Sequence, residues 1–169
     1  MNELIECILN EIERKIQCVR MNFESETWRA TVPSEQGWYL IKTNAPIEVL
    51  RGVGSPPEKR KAHINIPETV NETLKLQGIA ITQRRNDDYV VYNGEAKNLK
   101  ARAKEHERGH AKTYCLGLSN YEILRNYNWT FCYVAASRCE VLQNGDKLLR
   151  LAVEQAWRVR NGWPVLCKK

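Results

Sequence analysis

The chain has 169 residues, 43% of them hydrophobic and 27% charged, and a formal net charge of +6. That length suits one domain with a sizeable core and is short for two, while no apolar run approaches the roughly 20 residues of a bilayer-spanning helix, so no membrane partner is expected. The basic balance favours a polyanionic partner, because Lys and Arg neutralise phosphates and release condensed counterions. The opening stretch "MNELIECILNEIERKI" carries Glu3, Glu6, Glu11 and Glu13, unlike the basic start of a secretory signal. Six cysteines (Cys7, Cys18, Cys115, Cys132, Cys139, Cys167) form no CxxC pair, which argues against a zinc ribbon or a compact disulfide framework and predicts reduced thiols in a cytoplasmic protein.

Ile5, Ile8, Leu9, Ile12, Ile16 and Val19 recur at three- and four-residue steps, which predicts an amphipathic first helix. Residues 1–36 therefore read as an N-terminal helical extension. "GWYLIKT" from Gly37 is a β-branched and aromatic run, hence a strand. Residues 44–88 read as an elaborated insertion: "RGVGSPPEKRKAHINIP" is a loop by its glycines and prolines, "ETVNETLKLQG" a short helix ended by Gly78, and "IAITQ" a short strand. "DYVVYNG" is a second long strand, a helix follows from about Asn98, and "WTFCYVAAS" is a third strand. The last helix, Asp146 to Arg160, carries an apolar stripe of Leu148, Leu149, Ala152, Val153, Ala156 and Trp157. This order predicts an α+β domain: a small, mostly antiparallel three-stranded core sheet flanked by helices, with a long insertion between the first two core strands.

Chemistry concentrates after Gly94. Arg102 and His106 stand four residues apart, with Leu99 and Ala103 on nearly the same face, so the stripe that buries this helix is partly given over to a cation and an imidazole. Tyr92 closes the preceding strand. Arg offers a planar fork to phosphate, His relays or orients a proton, and Tyr is a base once its pKa falls, which makes phosphodiester chemistry the natural expectation.

These residues resemble the GIY-YIG nucleases. "GWY", Gly37 to Tyr39, looks like the family's first motif and "YNG", Tyr92 to Gly94, like its second; an arginine ten residues after the second tyrosine falls on Arg102, and a histidine four further on falls on His106. Glu154 in "RLAVEQAW" matches the position of the family's metal-binding glutamate. The chain departs from the pattern at Trp38, Asn93, Glu95 and Cys167, and in the long separation of the two motifs. The resemblance implies one GIY-YIG-like nuclease domain over residues 1–169 that hydrolyses DNA phosphodiester bonds with one Mg²⁺ or Mn²⁺. Glu154 would hold the ion largely through water, Arg102 would brace the phosphate, and Tyr92 or Tyr39, its pKa lowered by nearby positive charge, would take a proton from the attacking water with His106 as relay or orienting partner. Lys97 is the expected phosphate contact beside the second motif. The basic insertion adds candidate DNA contacts at Arg51, Lys59, Arg60, Lys61, Arg84 and Arg85.

Each residue has a plainer reading. Strand tyrosines commonly bury a ring and wet a hydroxyl, Arg102 could cover apolar surface with its stem, His106 could be a hydrogen-bonded core histidine, and Glu154 could be a solvated glutamate. Trp157 and Trp163 read as packing residues. Three functions compete: a type II restriction enzyme, working as a homodimer through its N-terminal helix; a non-cleaving nucleic-acid-binding module on the same fold; and a repair or mobile-element nuclease that reads DNA structure.

Overall fold

The computed structural model describes residues 3–54, 63–82, 87–139 and 147–168. Helix α1 spans Glu3–Lys15, and its Ile8, Leu9 and Ile12 are fully buried; burying such a side chain contributes roughly 1.5–3 kcal/mol. Glu3 and Glu6 in the first turn and Arg14 and Lys15 in the last each face the helix-dipole end that favours them.

Val19 does not continue this helix. Gln17–Arg20 is a strand, β1, paired antiparallel with the later strand Trp129–Ala135. The sheet therefore has four strands, not the expected three. The physical reason is the open edge: without a neighbour, that later strand would present a row of unpaired N–H and C=O groups, and the alternating burial of Gln17–Arg20 fits a half-covered edge. Cys18 lies directly opposite Cys132, and the two form a disulfide, which corrects the expectation of reduced thiols throughout. Cys7, Cys115, Cys139 and Cys167 are free.

Strands β2 (Gly37–Thr43) and β3 (Tyr89–Ala96) complete the sheet with β4 (Trp129–Ala135), in the order β1-β4-β2-β3, all antiparallel. The helices that follow are α2 (Ile47–Gly52), α3 (Ile66–Leu74), α4 (Leu99–Arg108) and α5 (Lys147–Asn161). The architecture is mixed α+β, with both faces of the sheet covered. On one face Trp38, Leu40, Cys132 and Val134 pack with Ile8, Leu9 and Ile12 of α1 and Val153 and Trp157 of α5. On the other, Tyr39, Ile41, Phe131 and Tyr133 pack with Leu99 and Ala103 of α4 and with Ile66 and Val70 of α3. Burial on both faces explains why β2 reads as an unbroken apolar run.

The insertion contains α2, whose last two residues, Arg51 and Gly52, overlap the start of the predicted loop, and α3, close to the predicted helix. Of "IAITQ", Gln83 lies outside the described residues, and Ile79 to Thr82 form no strand but a single parallel bridge, Ala80 with Trp163. Lys59, Arg60, Lys61, Arg84 and Arg85 lie outside the described residues.

Helix α5 is rotated from its predicted stripe. Val153 and Trp157 are buried, but Leu148 is 73% exposed, and Arg150 and Arg158 are buried instead. The rotation turns Arg150, Glu154 and Arg158, one turn apart, toward β3, where Glu95 accepts from Arg150 Nε at 3.2 Å and Asn93 Oδ1 accepts from Arg158 Nε at 2.8 Å. Partners for two buried guanidiniums outweigh the exposure of one leucine, since breaking a buried ion pair costs roughly 3–5 kcal/mol. Among the described residues no helix is long and apolar enough to cross a membrane.

Candidate active site

The two motif glycines are explained by close approach. Tyr39 stands opposite Gly94 in the β2–β3 ladder, and a Cβ at Gly94 would lie 2.7 Å from Tyr39 Oη and 3.0 Å from Cζ. The ring lies across the space a side chain would need. At Gly37 a Cβ would lie 2.3 Å from the Val134 carbonyl oxygen and 2.7 Å from Leu99 Cδ1, so this glycine lets α4 seat against the sheet. Tyr92 pairs with Ile41, and the ladder shifts register just beyond, between Ile41 and Lys42; such a bulge re-aims the side chains beside it. Tyr39 is stacked between Tyr92, at 6.2 Å, and Phe131, at 5.2 Å.

Helix α4 is capped by Asn98, whose side chain accepts from Ala101 N at 2.9 Å. Leu99 N and Lys100 N donate to the carbonyls of Glu35 and Pro33. The first-turn donors that a helix leaves unpaired thus find partners, and the helix is pinned to the segment leading into β2. That fixes the face carrying Arg102 and His106. Arg102 Nε donates to Tyr39 Oη at 2.9 Å, and Nη2 reaches Tyr92 Oη at 3.5 Å. The same guanidinium donates to Glu105 Oε2 at 2.8 Å and to the Tyr114 carbonyl at 2.5 Å.

His106 is fully buried, with Nε2 at 2.9 Å from Tyr39 Oη. Leu116 N donates to its Nδ1 at 3.4 Å, which assigns the proton to Nε2, so that the imidazole donates to the phenol oxygen. Tyr39 Oη thus accepts two hydrogen bonds, one from a cation and one from an imidazole. In this tautomer His106 orients and polarises Tyr39; it has no lone pair toward the phenol with which to take its proton.

Burial, then Arg102, holds the His106 pKa well below its usual value, so the ring is neutral. The phenols run against expectation. Burial raises the Tyr39 pKa well above 10 and pushes Tyr92 up to about 12, with Arg102 pulling both down and Glu154 adding to the rise. Nearby positive charge does not lower either phenol, because desolvation of the phenolate is the larger effect. For Arg102, burial opposes the charge, but the two phenol oxygens and Glu105 outweigh it and raise its pKa.

Glu154 approaches from α5 and is close enough for its charge to raise both phenol pKa values. Its side chain is only 12% exposed and accepts from Arg158 Nη2 at 2.5 Å. Burial raises its pKa; Arg158 and the Glu95 backbone N–H oppose the shift, and the Glu95 carboxylate adds to it. Among the described residues no group of three or more His, Cys, Asp or Glu comes together as a metal cluster. The available donor is a single hard carboxylate with a second acid nearby, a set that suits Mg²⁺ or Mn²⁺ with most of its water retained and not a zinc site.

Tyr39, Tyr92, Arg102 and His106 thus share one hydrogen-bonded group, with Glu154 electrostatically coupled to it. Lys97 is exposed at the start of α4, and Lys100 and Lys104 are exposed on its outer side. Arg51 stands apart on α2, with Nε donating to Asn71 Oδ1 at 2.9 Å. Two features go unread in the sequence. The Glu105 and Tyr114 contacts to Arg102 could have been suspected for Glu105 alone, by its i,i+3 spacing. The network of Asn93, Arg158 and Cys167 beneath Glu154 joins three elements, with Asn93 N donating to Cys167 Sγ at 3.4 Å, and only the odd asparagine in an apolar strand hinted at it. Trp157 packs on Trp38 at 5.8 Å, and Trp163 carries the Arg158 guanidinium at 4.7 Å. No protein-family model, curated protein or solved structure matches the chain.

Proposed function

We propose that the chain is a divalent-metal-dependent DNA endonuclease of the GIY-YIG type, with β2, β3 and β4, α4 and α5 as its core and α1 and β1 as an added edge. The observation that carries the reading is the Tyr39 oxygen accepting from both Arg102 Nε and His106 Nε2, with the Tyr92 oxygen at the edge of the same guanidinium. Fixing a largely buried cation against two phenols does little for stability; it makes sense where negative charge arrives. The exposed lysines of α4 support a polyanionic partner.

In this reading Glu154 holds Mg²⁺ or Mn²⁺, which when bound supplies Lewis-acid stabilisation of charge on the phosphate and the leaving oxygen. Arg102 exchanges Glu105 for a nonbridging phosphate oxygen, a bond that strengthens as charge develops. Tyr39 keeps the guanidinium in place through Nε. Tyr92 is half-buried where Tyr39 is almost wholly buried, so Tyr92 as phenolate takes the proton of the attacking water. The water oxygen bonds to phosphorus, a bridging P–O bond breaks, and the leaving oxygen takes a proton from solvent.

A second reading, a binding module without cleavage, is favoured by Arg102 having its donors engaged within the protein and by both phenols holding their protons. Supercoiled plasmid with Mg²⁺ or Mn²⁺ separates the two. Nicking or linearisation that chelator abolishes and that Arg102→Ala and Glu154→Ala both lose supports the nuclease. Salt-sensitive binding with no cleavage at any metal concentration defeats it. Forked, nicked and plain duplexes then distinguish a repair or mobile-element nuclease from a restriction enzyme, and sedimentation with duplex tests the homodimer.

A further inference from the structure

We infer that Arg158, anchored by Asn93 and Trp163, is a positioning residue that holds the Glu154 carboxylate in place for a divalent cation; this rests on the nuclease reading above. Arg158 is one turn beyond Glu154 on α5, and its guanidinium is held by three hydrogen bonds and a ring contact. Nε donates to Asn93 Oδ1 at 2.8 Å, Nη2 donates to Glu154 Oε1 at 2.5 Å and reaches the Asn93 carbonyl at 3.4 Å, and the Trp163 ring lies 4.7 Å from the guanidinium carbon.

Asn93 is locked in turn. It is fully buried, its Nδ2 donates to the Glu154 carbonyl at 3.4 Å, and Cys167 Sγ lies 3.4 Å from its Oδ1. The side chain therefore ties β3 to the backbone of the residue bearing the carboxylate and to the guanidinium that grips it. This accounts for two departures from the resemblance together. An aliphatic side chain at 93 could not accept from Arg158 Nε, and the small thiol of Cys167 closes the pocket around the asparagine. A carboxylate that must hold a hydrated ion by itself gains most from such support, because outer partners fix ligand orientation and their removal costs roughly 10–100-fold in metal affinity.

The test is Mn²⁺ binding followed by the electron paramagnetic resonance of the free ion, alongside plasmid cleavage as a function of Mn²⁺, in the intact chain and in Arg158→Gln and Asn93→Leu. Thermal melts check folding. The expected result is a half-saturating Mn²⁺ concentration raised on the order of tenfold in Arg158→Gln and by less in Asn93→Leu, with the cleavage rate at saturating Mn²⁺ falling far less than the affinity. An unchanged or tighter Mn²⁺ midpoint in Arg158→Gln overturns the inference, since it would make the guanidinium a bystander or a competitor. Should Arg158→Gln not fold, Asn93→Leu decides, because it leaves both charged groups in place. Wild-type protein whose Mn²⁺ binding is absent or survives Glu154→Gln overturns the metal reading itself, and this inference with it.

Discussion

Gly94→Ala tests the geometry of the site without assuming any activity. The new methyl would stand 2.7 Å from Tyr39 Oη and 3.0 Å from Cζ, about 0.7 Å inside ordinary contact at its nearest point. The φ of Gly94 is not positive, so the backbone accepts alanine, and losing a glycine from a strand interior returns roughly 0.5–1 kcal/mol. Against that stands overpacking, which so short a contact places at about 2–3 kcal/mol, the upper part of its usual range, and this leaves a net loss of about 1–2.5 kcal/mol in urea unfolding. Tyr39→Phe alone strips the buried His106 Nε2–H of its acceptor, at about 1–3 kcal/mol. In the double variant the nearest clashing atom is gone, so the two costs fall short of their sum by about 1 kcal/mol. The assay is a urea double-mutant cycle with m-values held to wild type. Additivity within about 0.3 kcal/mol, or a neutral Gly94→Ala, would refute the claim that the second motif's glycine exists to admit the first motif's tyrosine.

Three further outcomes follow from the site and the sheet. With the Tyr92 pKa at about 12, the cleavage rate should climb about tenfold per pH unit through pH 8–10; Tyr92→Phe flattens that limb and Tyr39→Phe lowers the rate while keeping it, and a plateau near neutrality would sink the assignment. The same raised pKa means stability conferred by the protonated phenol is complete below about pH 10 and is lost as pH rises toward 12. For His106 the sign reverses: its pKa is depressed, so its stabilising contribution is present above about pH 6.5 and is lost as pH falls below that. The ring resonance of His106 in NMR should stay in its neutral position at pH 6, and a midpoint near 6.5 would contradict the burial argument. Under denaturing, non-reducing conditions the chain should show four reactive thiols from its six cysteines, and reduction of the Cys18–Cys132 bond, which spans 114 residues, should cost about 5 kcal/mol; six thiols without reductant would remove the disulfide from the account.

What the sequence determined by itself is local. Spacing at three and four residues marked α1 and set Arg102 beside His106 on one face of α4, and β-branched and aromatic runs marked β2, β3 and β4, because these are properties of a single segment's geometry. The short β1 was invisible, since four residues carry too little period to separate a strand from a fraying helix, and only the exposed edge of β4 made pairing pay. Tertiary structure alone decided the protonation of the site. Positive charge beside a phenol suggests a lowered pKa, yet burial of the Tyr39 and Tyr92 rings reversed it, and burial belongs to the whole fold. It also decided which face of α5 turns inward: apolar periodicity pointed to Leu148, whereas Asn93 and Glu95 on a strand more than 50 residues away drew Arg150, Glu154 and Arg158 in, since buried guanidiniums go where their acceptors are.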